Sequence, residues 1–509
     1  MNNKTPWENA AESEGTTDSE RYLTRLARKA FLSLWSYSNL FTDKGRSNSK
    51  GDGKELCDLL VVFGNNVLLF SDKHCEFPSH PDINISWSRW YRHAIERSAR
   101  QLSGAEKFIK AHPSCIFLDK DCQKRLPIDL PDPRDARYFL VAVTRGSCEV
   151  AERFWGRGSS GSLMLNNAIA GDAHYTTPFR VGFPLPSRRF VHVLDEMTVD
   201  VLLEELDTAP DLIAYLECKE AYFNRPGVNV TATGEEQLLA RYMCTMKDGK
   251  HTLPAIPDGA SFVALVEGDW EFYSVNPQRA AKKAADAPSY MWDQLIEYQS
   301  SFIRAGTAIS LPEFTATASD HERIVRALAD ESRLSRRQLA AHFQHALSQS
   351  EPGKKFARVV ISGDRPDRAY VFLTAPKPAD GTYEEYREMR TEALLTYCHG
   401  VKLKFPCIVE AVGIASEPLT ESVSSQDFLY VDLSGETFEA EESGKWSEAM
   451  AELDVLQSPT VRAIKGKCHE FPMPFNFSKG SEFYSAENGM PMNRAARRAM
   501  AKQARSKRR

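Results

Sequence analysis

The stretch "KELCDLLVVFGNNVLLFSDKH", Lys54 to His74, constrains the fold of this chain more than any other. Its two runs, Leu59 to Phe63 and Val67 to Phe70, are apolar at every position. Short unbroken apolar runs around a turn read as strands covered on both faces, because a strand with one wet face alternates instead. Gly64-Asn65-Asn66 supplies the left-handed backbone of a tight turn, so a central hairpin is predicted. Ahead of it, "SERYLTRLARKAFLSLWSYSN" places Leu23, Leu26, Ala30 and Leu34 on one stripe behind an Asp18 or Ser19 cap, the signature of an amphipathic helix. "FTDKGRSNSKGDGKE" between them is too polar to pack and reads as a loop. After the hairpin, "SWSRWYRHAIERSARQLSGAEKFIKAH" aligns Trp87, Tyr91, Ile95, Leu102, Ala105 and Ile109 on a long helix with a basic flank. "RYFLVAVT", Arg137 to Thr144, is a further buried strand, giving the order helix, strand, strand, helix, strand.

With 509 residues the chain exceeds one ordinary core, so several domains are expected. Residues 1–18 read as disordered, 19–150 as the first domain, 151–310 as a connecting α+β domain, 311–435 as a second α+β domain, and 436–509 as a polar segment ending in a basic tail. In the middle region "FVHVLD", "SFVALVE" and "WEFYSV" read as strands, and "MTVDVLLEELDTAPDLIAYLECKEAYF" as two helices broken near Ala209-Pro210. The last domain alternates helices with the strands "ARVVIS", "AYVFLTA", "FPCIVEAVGIAS" and "DFLYVDL". The fold class is therefore mixed α/β (α+β), with several domains.

No apolar run approaches the roughly 18 to 20 residues that a membrane helix needs, and the first residues lack a secretory pattern. A cytoplasmic protein without a membrane partner is the expectation. The ten cysteines are scattered singly, which is reduced-thiol usage rather than a disulfide framework. His74-Cys75 and Cys468-His469 lack the spacing of zinc ligands. The net charge of -5 exerts no global pull on nucleic acid, so the distribution of charge matters more than its sum.

Strand parity organises the chemistry of the hairpin. In an extended run Ser71 and Lys73 share one face and Asp72 takes the other. Were the hairpin to close at Asn65-Asn66, Asp58 would lie at the same open end as Ser71 to Lys73. A carboxylate there can hold a divalent cation, and a lysine beside it can orient water and stabilise phosphate charge. "CDLLVVFGNNVLLFSDK" thus resembles the restriction-endonuclease-like, or PD-(D/E)xK, nuclease superfamily, particularly its Mrr-like and NERD-like members, over residues 19–150. The resemblance implies a mixed sheet flanked by helices, Asp58 as the first acid, Lys73 as the lysine, and Mg2+ or Mn2+ as cofactor. It further implies hydrolysis of nucleic acid, DNA ahead of RNA, in a setting such as restriction or anti-phage defence.

The pattern departs from the family at Ser71, where an acid is usual. Three replacements are open. Asp72 serves if a bulge alters the alternation, and Glu55 serves from just ahead of Asp58. Otherwise Asp58, the Asp72 carbonyl, the Ser71 hydroxyl and waters suffice. Gln101 on the long helix resembles a polar residue that some members project toward the site. Lys44, Arg46, Lys50, Lys54, Arg89, Arg92 and Arg100 fit a phosphate-tracking surface, or an ordinary solvated face. Trp87, Trp90 and Tyr91 are candidates for base stacking, although helical spacing favours the core for Trp87 and Tyr91. The tail from Arg494 fits non-specific nucleic-acid binding. The C-terminal domains are expected to recognise a protein partner or a second copy of the chain. The alternative to a nuclease is a catalytically degenerate nuclease fold that binds nucleic acid or protein. His174, His192, His342 and His345 are scattered, and His342 and His345, which share a helix face without a third ligand, read as surface or packing residues.

Overall fold

A computed structural model describes residues 17–45, 51–156, 158–311, 315–349, 354–418, 425–435, 440–457, 468–472 and 483–484. The chain forms two compact units, residues 17–280 with 483–484, and residues 281–472. Both mix helices with β-sheet.

The first unit opens with α1 (Asp18–Phe31), whose Thr17 cap and Glu20 form a capping box. The helix ends earlier than the sequence predicts. Leu32 takes a φ of 62°, and Ser36–Thr42 becomes a strand, β1, paired antiparallel with β2 (Lys54–Phe63). Pairing and burial of Tyr37 and Leu40 override the local helical stripe.

β2 and β3 (Asn66–His74) form the predicted hairpin, and both apolar runs are buried. The turn is one residue shorter than expected. Phe63 pairs with Asn66, leaving Gly64, at a φ of 56°, and Asn65 as the two linking residues. Continued outward, this register sets Asp58 opposite Ser71.

Next come α2 (Ile83–Tyr91) and α3 (Arg97–Ala111), joined by a π-helical turn over Arg92–Glu96. The short β4 (Ile116–Phe117) follows, then β5 (Arg137–Arg145). After α4 (Cys148–Trp155), β6 (Met164–Ala170) and β7 (Arg180–Phe183), the strand β8 (His192–Asp195) returns to the first sheet. Its strand order is β4-β1-β2-β3-β5-β8, with β3, β5 and β8 parallel. The predicted domain boundary at residue 150 therefore falls inside this unit, because β8 hydrogen-bonds to β5. On one face Phe31 of α1 meets Phe70, with ring centroids 6.3 Å apart. On the other, Leu60, Val62, Val67 and Leu69 pack into a core with Trp87, Tyr91, Ile95 and Leu102. The hairpin is thus enclosed on both sides.

The unit continues with α5 (Thr198–Glu205), α6 (Ala209–Phe223), β9 (Asn229–Ala232), α7 (Glu235–Cys244), the small hairpin β10 (Met246–Lys247) and β11 (Lys250–His251), and β12 (Phe262–Leu265). The break before Pro210 is as predicted. "WEFYSV" is not a strand but lies largely in α8 (Asp269–Ser274), where Glu271 reaches back to the Gly268 amide and caps the turn. A second sheet runs β17-β12-β9-β6-β7, with β17 at Phe483–Tyr484.

The boundary between units lies in α9 (Pro277–Asp286). The second unit contains α10 (Tyr290–Ala305), α11 (Ala318–Ala329), α12 (Arg333–Ser348), β13 (Phe356–Ile361), β14 (Arg368–Thr374), α13 (Tyr383–Lys404), β15 (Glu410–Ser416), β16 (Gln426–Asp432) and α14 (Ala440–Glu452). Its sheet runs in sequence order, β13-β14-β15-β16, with β14 and β15 parallel. Val371, Leu394, Val401 and Ala411 centre its core.

His174, fully buried in the first unit, donates from Nδ1 to Gly171 O at 2.7 Å and accepts the Gly182 N–H on Nε2 at 3.0 Å. Burial depresses its pKa to about 4, the Gly171 bond opposing. An imidazole neutral when folded but protonated when unfolded stabilises fully above the unfolded value and loses that contribution as pH falls from about 6.5. Proton NMR is expected to show His174 titrating near 4, and the urea midpoint to drop over the same window.

Candidate active site

The open end of the β2–β3 hairpin is built by the end of a ladder. Main-chain pairing of β2 with β3 stops at Leu59–Phe70, and beyond it the Asp58 carboxylate replaces a strand partner. Its Oδ2 accepts the Asp72 amide N–H at 2.5 Å, and Lys73 Nζ stands 3.8 Å from the same oxygen. Asp58 is only 2% exposed, whereas the Lys73 side chain keeps 31% of its surface in water. The ion pair therefore has one buried partner and one that reaches the rim.

Glu55 joins this pair. The register between β1 and β2 shifts between Leu40 and Phe41, since Leu40 faces Cys57 while Phe41 faces Glu55. The extra residue, Leu56, breaks the alternation, and the Glu55 carboxyl comes into hydrogen bond with Asp58. Glu55 is exposed at the strand end, yet its carboxyl is shielded where it meets Asp58. Partial burial, then the bond to Asp58 and its charge, push the Glu55 pKa up to about 7 against the opposing pull of Lys73.

Asp72 is a different case. β3 pairs with β5 in unbroken register from Asn66–Arg137 to His74–Arg145, so no bulge turns Asp72 toward Asp58. Its carboxylate lies on the opposite face, bound by Arg145 through Nε at 3.2 Å and Nη2 at 3.4 Å. Burial raises its pKa while Arg145 opposes. Of the three replacements left open by the sequence, the one through Asp72 needs a bulge in β3 that is not there; the bulge lies in β2 and brings Glu55 to Asp58. Ser71 is fully buried on the Lys73 face, and its hydroxyl has no hydrogen-bond partner among the described residues. Gln101 is half-buried on α3 and makes no hydrogen bond to the site.

Among the described residues, no group of three or more His, Cys, Asp or Glu side chains is arranged to hold a metal ion. What converges is two carboxylates and a hydroxyl without a partner. Such oxygen donors are of the kind that Mg2+ or Mn2+ would take while retaining much of its water. Replacing Ser71 by Ala separates a ligand from a packing residue. Removing a buried hydroxyl that lacks a partner is expected to leave urea stability within about 1 kcal/mol of wild type or to raise it. A fall in Mn2+ affinity in the same variant would assign the hydroxyl to the cation.

The surroundings divide the basic candidates. Lys54, Arg89 and Arg92 are exposed, but Arg92 stacks over Tyr175 at 4.5 Å and Arg100 pairs with Glu96 at 2.5 Å. Lys44 sits over the Phe108 ring at 4.5 Å. Arg46, Lys50 and the basic tail lie outside the described residues. Trp87, Trp90 and Tyr91 are buried, and both indole N–H groups donate to main-chain carbonyls, so all three are core. His192 is buried against Glu220 at 3.1 Å, and His342 is half-buried on α12.

Sequence reasoning missed Arg145 and the Leu56 bulge. Arg145 is the charge that ends β5, and only the parallel pairing of β5 with β3 brings it to the same rim as Lys73. Among the described residues no helix is long and apolar enough to cross a membrane. No family model, no curated protein and no solved structure matches this chain.

Proposed function

We propose that the chain is a metal-dependent nuclease that hydrolyses phosphodiester bonds at the open end of the β2–β3 hairpin. The observation that carries this reading is the meeting of Glu55 and Asp58 with Lys73 at a rim where a buried sheet reaches water. The element order supports it too: α1, the antiparallel hairpin, the long helix pair and the parallel β5 follow the order of the superfamily that the motif resembles. Glu55 and Asp58 would hold Mg2+ or Mn2+, which when bound offsets charge on the transferring phosphoryl oxygens. Lys73, held by Asp58, orients the attacking water and donates toward the phosphate. Lys54 and Arg89 offer charge to the nucleic-acid backbone. DNA is the preferred substrate over RNA, and the cytoplasm and a role in restriction or anti-phage defence follow from the same resemblance.

The test is incubation of purified protein with DNA and RNA in Mg2+ or Mn2+. Cleavage abolished by chelator is expected, and cleavage indifferent to chelator would overturn the reading. A degenerate fold that binds without cutting is the second reading, favoured by Ser71 at an acid position and by the absence of a third ligand among the described residues. Retention of labelled DNA with no cleavage in either metal would select it.

A further inference from the structure

Asp72 and Arg145 have no part in the chemistry just described, yet they are joined to it by consecutive short contacts. The Asp72 side chain is fully enclosed and that of Arg145 is 15% exposed, so the fork between them is sheltered from solvent. The Arg145 guanidinium also lies 5.8 Å from the Tyr22 ring centroid, and Tyr22 donates to Asp200 at 2.8 Å. These contacts anchor the β5 end to α1 and α5. The Asp72 peptide N–H in turn donates to Asp58 Oδ2, the oxygen that faces Lys73. Asp72 thus has its carboxylate gripped on one face of the sheet and its amide aimed at the acid of the other. The Arg145 grip and the Asp58 hydrogen bond therefore meet in one residue.

We propose that Arg145 and Asp72 are a positioning pair, which sets Asp58 through the Asp72 amide, and that the Asp72 carboxylate never ligates the metal. The inference rests on the nuclease reading of the Glu55, Asp58 and Lys73 site. Outer partners that orient a ligand shift metal affinity or activity by roughly 10 to 100-fold when removed, whereas loss of the Asp58 charge also removes the group that holds Lys73 and is expected to leave a rate deficit at saturating metal.

The experiment measures direct Mn2+ binding by electron paramagnetic resonance and the Mn2+ dependence of DNA cleavage. Folding is checked by circular dichroism. Arg145→Gln and Asp72→Asn are expected to require about 10 to 100-fold more Mn2+ and to regain most of the rate at saturation. Arg145→Lys is expected to stay nearer wild type, and Asp58→Asn to remain inactive at any Mn2+. If a single change unfolds the protein by stranding a buried charge, the double variant Arg145→Met with Asp72→Leu removes both charges and is read in the same way. Asp72→Asn failing at saturating Mn2+ as completely as Asp58→Asn would make Asp72 a ligand and overturn the inference. So would active wild type with an unchanged Mn2+ response in both single variants, which leaves the nuclease reading intact. Wild type that neither binds Mn2+ nor cleaves overturns that reading and the inference with it.

Discussion

Asp58→Asn is expected to lower metal-dependent cleavage by about 10³-fold while the protein stays folded, and Lys73→Met to do the same. Asparagine is the informative replacement because Asp58 has two tasks. Its Oδ2 accepts the buried Asp72 N–H, and alanine would leave that donor unsatisfied at a cost of about 1–3 kcal/mol. Asparagine keeps an acceptor and removes only the charge. Lys73→Met likewise keeps the aliphatic stem and removes the ammonium that stands 3.8 Å from Asp58. Gel cleavage assays beside thermal melts separate chemistry from folding. Cleavage within about threefold of wild type in both variants would place any nuclease activity elsewhere in the chain.

Glu55 makes the second prediction, in the pH dependence of stability. The unfolded carboxyl ionises near its ordinary value of about 4.3, whereas in the folded protein it keeps its proton to about 7. Across that window the native state binds more protons than the unfolded one, so stability falls as pH rises and levels off above about 7. Asp72 and Asp195 are raised by burial in the same direction, so the comparison must be with a variant. In chelator, Glu55→Gln is expected to remove part of the slope and to gain most at pH 8. Adding Mg2+ is expected to stabilise wild type more at pH 8 than at pH 5, because the cation then meets an ionised carboxylate instead of displacing a proton. Parallel urea titrations of the two proteins between pH 4.5 and pH 8 would sink the placement of Glu55 against Asp58.

Much of the first sheet was legible because its signals are local and periodic. Leu59 to Phe63 and Val67 to Phe70 have too many consecutive apolar residues for any exposed element, and the stripe through Trp87 and Tyr91 has a helical period. β1 was not legible: Ser36–Thr42 continues a helical stripe in sequence and becomes a strand only by pairing with β2. "WEFYSV" failed for the opposite reason, since an aromatic-rich run suggests a strand until Glu271 caps it as a helix. The reach of the first unit past residue 150 was hidden because β8 joins β5 across 46 intervening residues, from Gly146 to Val191.

The sequence alone determined that a buried hairpin brings Asp58 and Lys73 to one rim, because strand alternation and a tight turn leave few other arrangements. Only the tertiary structure decided which acid joins them. A bulge at Leu56 exists because β1 pairs with β2, and the enclosure of Asp72 exists because β5 lies parallel to β3 and ends in Arg145. Neither neighbour is adjacent in sequence, so no local pattern distinguishes Glu55 from Asp72 as the partner of Asp58.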